Sequence, residues 1–263
     1  KWFLVVFSFF LLLIITIGIY KFRDGFLYYL GFKTDKYANE LSADERKLTD
    51  IRIYEVLHKH DNKAIGFDVS EYQSEIDWEQ TYHIDEAFEL SFVFIRSTAG
   101  KDKIDSKFKE NWKAAKERQL IRGAYHYYRP NENSIEQAEN FIKTVKLQKG
   151  DLPPVLDIEK LPKSQSIDSL KVGLRRWLNR VEKHYKVKPI IYSGESYYTD
   201  FLKEEFSEYP LWIANYNFWR NDLESDWQFW QFTEKAQIEG IKGMVDINIF
   251  NGDKNKLLLK CIR

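Results

Sequence analysis

Pro153-Pro154-Val155-Leu156-Asp157-Ile158-Glu159 is the stretch that decides how the chain folds. Two prolines, unable to donate to a ladder, fit only the beginning of a strand. The apolar run behind them ends in carboxylates at i and i+2. Side chains alternate between faces along a strand, so Asp157 and Glu159 point the same way, with Cα atoms roughly 6.6 Å apart at about 3.3 Å per residue. At that separation each perturbs the other's protonation. A carboxylate pair at a strand's C-terminal end suggests acid/base work on a sugar or acyl bond. Two solvated acids at a strand end are the plain alternative.

Working outward, strands and helices alternate on both sides of this stretch. Upstream, Ile65 to Asp68 reads as a strand, Trp78 to Phe88 as a helix and Ser91 to Ser97 as a strand covered on both faces. A helix marked by Phe108, Trp112 and Ala115 follows, then a strand from Gly123 to Tyr128. Ser134 with Gln137 reads as a capping box for a helix carrying Ala138, Phe141, Ile142 and Val145. Downstream, Ile167, Leu170, Leu174, Trp177, Leu178, Val181 and Tyr185 mark a long amphipathic helix. Pro189 to Ser193 is a strand, with a short helix around Tyr197 to Leu202. Leu211 to Tyr216, Gln228 to Thr233 and Val245 to Phe250 then read as strands joined by loops. Five strand–helix units and three strands imply a parallel sheet closed as a TIM-like (β/α)5β3 barrel, with chemistry at the C-terminal strand ends. Asp68, Asp157, Glu159 and Asp246 can meet over one such mouth. A doubly wound open sheet is the alternative, but no glycine-rich phosphate loop supports it.

The N-terminal part differs in character. Residues 2–20 carry no charge, and nineteen residues span about 28 Å as a helix, close to a bilayer core. Trp2 and Tyr20 flank this run as interfacial aromatics would, and no small-x-small cleavage pattern follows it. Three parts are therefore expected: a transmembrane signal anchor over 1–23, a connector over 24–63 and a barrel over 64–263. In the connector, Ser42 and Glu45 form a capping box for a helix with Leu48, Ile51, Val56 and Leu57 on one face. That helix is either a stalk or packed on the barrel; His58 and His60 are expected to be solvated.

The whole chain has 263 residues with 40 basic and 40 acidic side chains, so a zero formal net charge gives no sign of nucleic-acid binding. The single cysteine, Cys261, excludes an intrachain disulfide framework and a thiolate metal cluster. No cofactor or metal is expected.

Several motifs resemble glycoside hydrolase family 25, the muramidases. They are Gly66-Phe67-Asp68-Val69-Ser70 with Tyr72-Gln73 and Ile76-Asp77-Trp78; Gly123 to Pro130; Leu156 to Glu159; Pro189 to Ser193; Leu211 to Tyr216; Trp230-Gln231-Phe232; and Val245 to Asn248. They run in order over residues 64–252. The resemblance implies a (β/α)5β3 barrel, monomeric and without cofactor. It also implies hydrolysis, with retention, of the β-1,4 bond after N-acetylmuramic acid in peptidoglycan. By motif, Glu159 would be the general acid and then base, Asp157 would orient the sugar's 2-acetamido group, and Asp68 and Asp246 would complete the acid cluster. The attacking group stays open between a carboxylate and the substrate's own acetamide.

Tyr127, Tyr192, Trp212, Tyr216 and Gln231 fall at motif positions expected to line the sugar cleft, whereas Phe229 and Phe232 are expected to pack the barrel. Arg96 either reaches the acid cluster or is a strand-end charge. One departure stands out: Ser97-Thr98-Ala99-Gly100 puts Ala99 where the family commonly has glutamate. It is the one feature favouring a weakly active, anchored peptidoglycan-binding barrel. A hydrolase of another N-acetylhexosamine polymer is the third reading. A peptidoglycan substrate puts the barrel on the extracytoplasmic side of the membrane.

Overall fold

The computed structural model describes residues 41–84 and 87–263. Eight strands close into a barrel: β1 (Ile65–Val69), β3 (Phe88–Ala99), β5 (Ile121–Tyr127), β6 (Val155–Asp157), β7 (Ile190–Gly194), β8 (Leu211–Ala214), β9 (Trp227–Ala236) and β10 (Val245–Phe250). Two short strands, β2 (His83–Ile84) and β4 (Lys103–Ile104), add antiparallel to β3 outside this circuit. Closure comes from β1, which pairs parallel with β3 and antiparallel with β10.

The barrel is mixed, which corrects the TIM-like (β/α)5β3 expectation of a parallel sheet fed by strand–helix units. From β1 through β3, β5, β6, β7 and β8 to β9 every pair is parallel, but β10 runs antiparallel to both of its neighbours. The reason lies in the connection. Residues 237–244 are too few for a parallel crossover, which needs about a dozen, and Gly240 and Gly243 take positive φ angles of 86° and 85° to turn the chain back. The helix expected over 78–88 is also absent among the described residues there. Trp78 instead packs on Phe67, Asp77 N–H donates to Gly240 O at 2.8 Å, and β2 pairs with β3. Long-range pairing outweighs the local pattern.

Helices follow four strands: α2 (Phe108–Glu117), α3 (Ser134–Thr144), α4 (Ile167–Tyr185), and a broken stretch of α5 (Glu195–Tyr197), a π turn (Tyr198–Leu202) and α6 (Lys203–Phe206). Their apolar stripes, such as Leu170, Leu174, Trp177, Leu178 and Val181, pack against outward-facing strand residues such as Leu156 and Ile213. A separate core fills the barrel with Phe92, Phe94, Val155, Trp212 and Phe229. Gly66 and Gly123 are glycines because of it: a Cβ there would lie 2.5 Å and 2.4 Å from side-chain atoms of Phe92 and Phe94. Helix α7 (Lys254–Leu258) contributes Leu257 to this inner core, joined by Cys261.

Helix α1 (Ala43–Lys59), capped by the Ser42–Glu45 box, is packed on the barrel rather than being a free stalk. It buries Ile53, Val56 and Leu57, and the compact unit runs from Leu41 to Arg263. Arg52 donates to Phe232 O at 2.7 Å, Asn217 O at 2.8 Å and Phe218 O at 3.3 Å. These bonds tie the helix to β9 and to the loop that precedes it. His60 is buried and donates from Nε2 to Asn221 O at 2.9 Å, which corrects the expectation that it is solvated. Among the described residues no helix is long and apolar enough to cross a membrane, so the described fold carries no transmembrane helix. The anchor expected over 1–23 lies outside those residues.

Candidate active site

Strand alternation sets the site. Val155 packs in the barrel interior and Leu156 in the helix layer, so Asp157 turns inward again, at 4% exposure. The strand itself stops at Asp157, two residues short of the expected end. Its pairing trails on, with Tyr128 N–H donating to Asp157 O at 2.8 Å and Ile158 N–H to Tyr192 O at 3.0 Å. Ser193 Oγ donates to Ile158 O at 2.7 Å and Tyr197 Oη to Lys160 O at 2.9 Å, pinning the backbone on both sides of Glu159. Glu159 is half-buried just beyond the strand. Burial pushes the Tyr127 phenol well above its ordinary value, and the negative charges of Glu159 and then Asp157 add to the rise. Tyr127 therefore stands in the field of both carboxylates and stays protonated.

The other two acids come from β1 and β10, where Asp68 and Asp246 are direct partners across the antiparallel pair. Asp68 Oδ2 accepts from Gln231 Nε2 at 2.7 Å and from Asn248 Nδ2 at 2.8 Å. Tyr192 Oη donates to Gln231 Oε1 at 2.8 Å, and Tyr216 Oη donates to the same atom. Trp212 Nε1 donates to Asn248 Oδ1 at 2.7 Å. Tyr125 also lies among these groups. Burial drives its phenol well above the ordinary value; Arg96 lowers it, and Asp68 and Asp157 raise it further. The arrangement is a buried acid cluster in which Asp68 and Asp157 come from the C-terminal ends of parallel strands and Asp246 from the start of antiparallel β10, with the protonated phenols of Tyr125 and Tyr127 beside it. Such a site can retain a proton, deliver it to a leaving oxygen and stabilise a developing cation.

The profile of glycosyl hydrolases family 25 matches residues 67–241, more than half of the chain. The chain belongs to this family. Its relatives include YegX of Escherichia coli, 42% identical over 194 residues that span 73% of this chain and 71% of that one. Lysozyme M1 of Streptomyces globisporus is 32% identical over 73% of this chain and 69% of its own. The crystal structure of the bacterial lysozyme from Streptomyces coelicolor superposes with a TM-score of 0.68 at 28% identity, covering 76% of this chain and 97% of the other.

Within this family 25 glycoside hydrolase, not every expected cleft residue lines a cleft. Tyr192 and Trp212 are 6% and 2% exposed, and Trp212 stacks on Phe94 at 4.2 Å inside the barrel. They support the acid cluster from below and offer no face to a sugar ring. Gln231 is equally buried, while Tyr127 and Tyr216 are half-buried. Phe229 and Phe232 are packed in the two cores. Arg96 engages Asp105 at 2.8 Å and Glu71 at 3.0 Å and lies over the Tyr72 ring, so its charge is committed to the loops around the mouth. Ala99 pairs with Tyr127 across β3 and β5 and brings no carboxylate. Asn248 was not among the expected site residues. It lies two positions after Asp246 and so shares its face, a period-two signal of the same kind as the Asp157–Glu159 pair. Among the described residues no group of three or more His, Cys, Asp or Glu is placed to hold a metal ion.

His126, between the site tyrosines, points the other way. It bonds Thr98 Oγ1 at 2.7 Å and Gln137 Oε1 at 3.2 Å and stacks on Trp177. Burial pulls it down to about 3 from the ordinary 6.5. The unfolded chain therefore takes up this proton first, and the stabilisation present above pH 6.5 is lost as pH falls towards 3. The stability gap between wild type and His126→Gln should narrow below pH 6.5, by up to about 1.4 kcal/mol per pH unit. Denaturant melts at stepped pH check this; a gap that stays constant from pH 7 to 4 contradicts it.

Proposed function

We propose that Glu159 is the general acid and base of a peptidoglycan N-acetylmuramidase, cleaving the β-1,4 bond between N-acetylmuramic acid and N-acetylglucosamine. Membership of family 25 and the lysozymes among its relatives support the activity. The observation that carries the assignment is Glu159 half-buried just past β6, near enough to Tyr127 for its charge to act on that phenol together with that of Asp157.

In this reading the Glu159 carboxyl gives its proton to the glycosidic oxygen as the C1–O bond breaks. The substrate's acetamide oxygen closes on C1 to give an oxazolinium ring. Asp157 accepts a hydrogen bond from the acetamide N–H and offsets the positive charge. Ionised Glu159 then removes a proton from water, whose oxygen attacks C1 and reopens the ring. Asp68 and Asp246 supply negative potential beneath the sugar. Tyr127 and Tyr216 are the cleft aromatics that remain accessible to substrate.

The test is product identity. Digestion of purified peptidoglycan should leave N-acetylmuramic acid at every new reducing end. Glucosamine reducing ends, or turnover of chitin oligosaccharides in preference to peptidoglycan, would favour another N-acetylhexosamine polymer. The substrate lies outside the cytoplasmic membrane, so the barrel belongs on the extracytoplasmic side. Protease added to spheroplasts should degrade it, and a shielded barrel contradicts that placement.

A further inference from the structure

The amide network beneath the acid cluster has a fixed direction. An indole N–H can only donate, so the Asn248 atom 2.7 Å from Trp212 Nε1 must be the amide oxygen. The Asn248 nitrogen is thereby turned to Asp68 Oδ2, at 2.8 Å. On the other side, the Tyr192 and Tyr216 hydroxyls occupy Gln231 Oε1 and leave Gln231 Nε2 to donate to that same Asp68 oxygen at 2.7 Å. Asn248 is wholly buried and Gln231 is 2% exposed, so neither amide exchanges these bonds for water.

We propose that Asn248 and Gln231 are positioning residues that hold Asp68 as the standing anion of the cluster, with Trp212, Tyr192 and Tyr216 setting the direction of the two amides. Asp68 thereby serves as a fixed negative charge beside the proton-donating group; this clause rests on the muramidase reading above. Two N–H donors on one oxygen favour a charged carboxylate, whereas neighbouring carboxylates disfavour it. The groups around Asp68 include Asp246, its direct partner on β10, and Tyr125 from β5, on which Arg96 of β3, Asp68 and Asp157 of β6 all act; Tyr192 from β7 and Tyr216 beyond β8 reach Asp68 through Gln231. Tyr125 stays protonated, and Arg96 is committed to Glu71 and Asp105. The two amide N–H donors bond Asp68 directly and so offset the repulsion from the two other aspartates. Without them one proton would be shared across the cluster.

The experiment is a carbon-13 titration of the aspartate carboxyls in the folded protein, with the Asp68 signal assigned by Asp68→Asn. In Asn248→Ala the Asp68 midpoint should rise by about one pH unit, and in Trp212→Phe it should move the same way by a smaller amount. The acid limb of the pH–rate profile should follow, with KM changed less than about threefold. A folded Asn248→Ala or Trp212→Phe whose Asp68 midpoint stays within about 0.2 unit of wild type overturns the proposal, as does a loss confined to KM. Should Asn248→Ala fail to fold, Trp212→Phe decides alone. A wild type without turnover on peptidoglycan would sink the muramidase reading, while the titration would still decide the role of the amides.

Discussion

Glu159→Gln is expected to lower peptidoglycan turnover by roughly 10²–10⁴-fold, the range that a general acid supplies. Glutamine keeps the side-chain length and most of the polar contacts but has no proton to give. Ser193 and Tyr197 hold the backbone around position 159 independently of the side chain, so the fold should survive. Binding to insoluble sacculi should therefore stay close to wild type. This combination separates an enzyme from a barrel that only binds the wall, the reading that Ala99 alone favours. A drop of less than about tenfold would show that another group carries the proton. Loss of binding in parallel with activity would mean that the substitution had damaged the site as a whole.

Asp157→Asn should cost about 10²–10³-fold, the scale reported by removal of one group that stabilises transition-state charge. Its effect should fall on kcat if, as proposed, Asp157 acts on a ring that exists only during reaction. Asparagine can still accept a hydrogen bond but brings no negative charge to the oxazolinium. A muramyl thiazoline, which mimics that bicyclic intermediate, should inhibit wild type and lose affinity in Asp157→Asn by a comparable factor. A glycosyl group trapped covalently on a carboxylate of the wild-type enzyme, with thiazoline inhibition unaffected by the substitution, would assign the attack to an aspartate.

What the sequence made legible follows from which interactions are periodic. The expectation that Asp157 and Glu159 share a direction comes from the two-residue repeat of strands; the strand ends at Asp157, and the bond from Ile158 N–H to Tyr192 O carries the alternation one residue further. The long helix α4 was equally plain from its apolar stripe. The direction of β10 is not in any stripe; it is set by the short, glycine-bearing connection 237–244, where Gly240 and Gly243 take positive φ. Depth was invisible too. Tyr192 and Trp212 point inward as cleft residues would, but period two does not distinguish the floor of a barrel from its mouth. Arg96 illustrates the remaining limit. Its partner Glu71 lies 25 residues away on another loop, and only the closed barrel brings the two within 3.0 Å. Asn248, by contrast, was open to the same period-two argument that found the acid pair.

The most direct test compares borohydride-reduced products of purified peptidoglycan after incubation with wild type and with Glu159→Gln, analysed by mass spectrometry. Wild type should yield fragments ending in reduced muramic acid, and the variant should yield almost none over the same time. Fragments ending in reduced glucosamine, or equal muramic-acid release by the two proteins, would contradict Glu159-dependent muramidase chemistry.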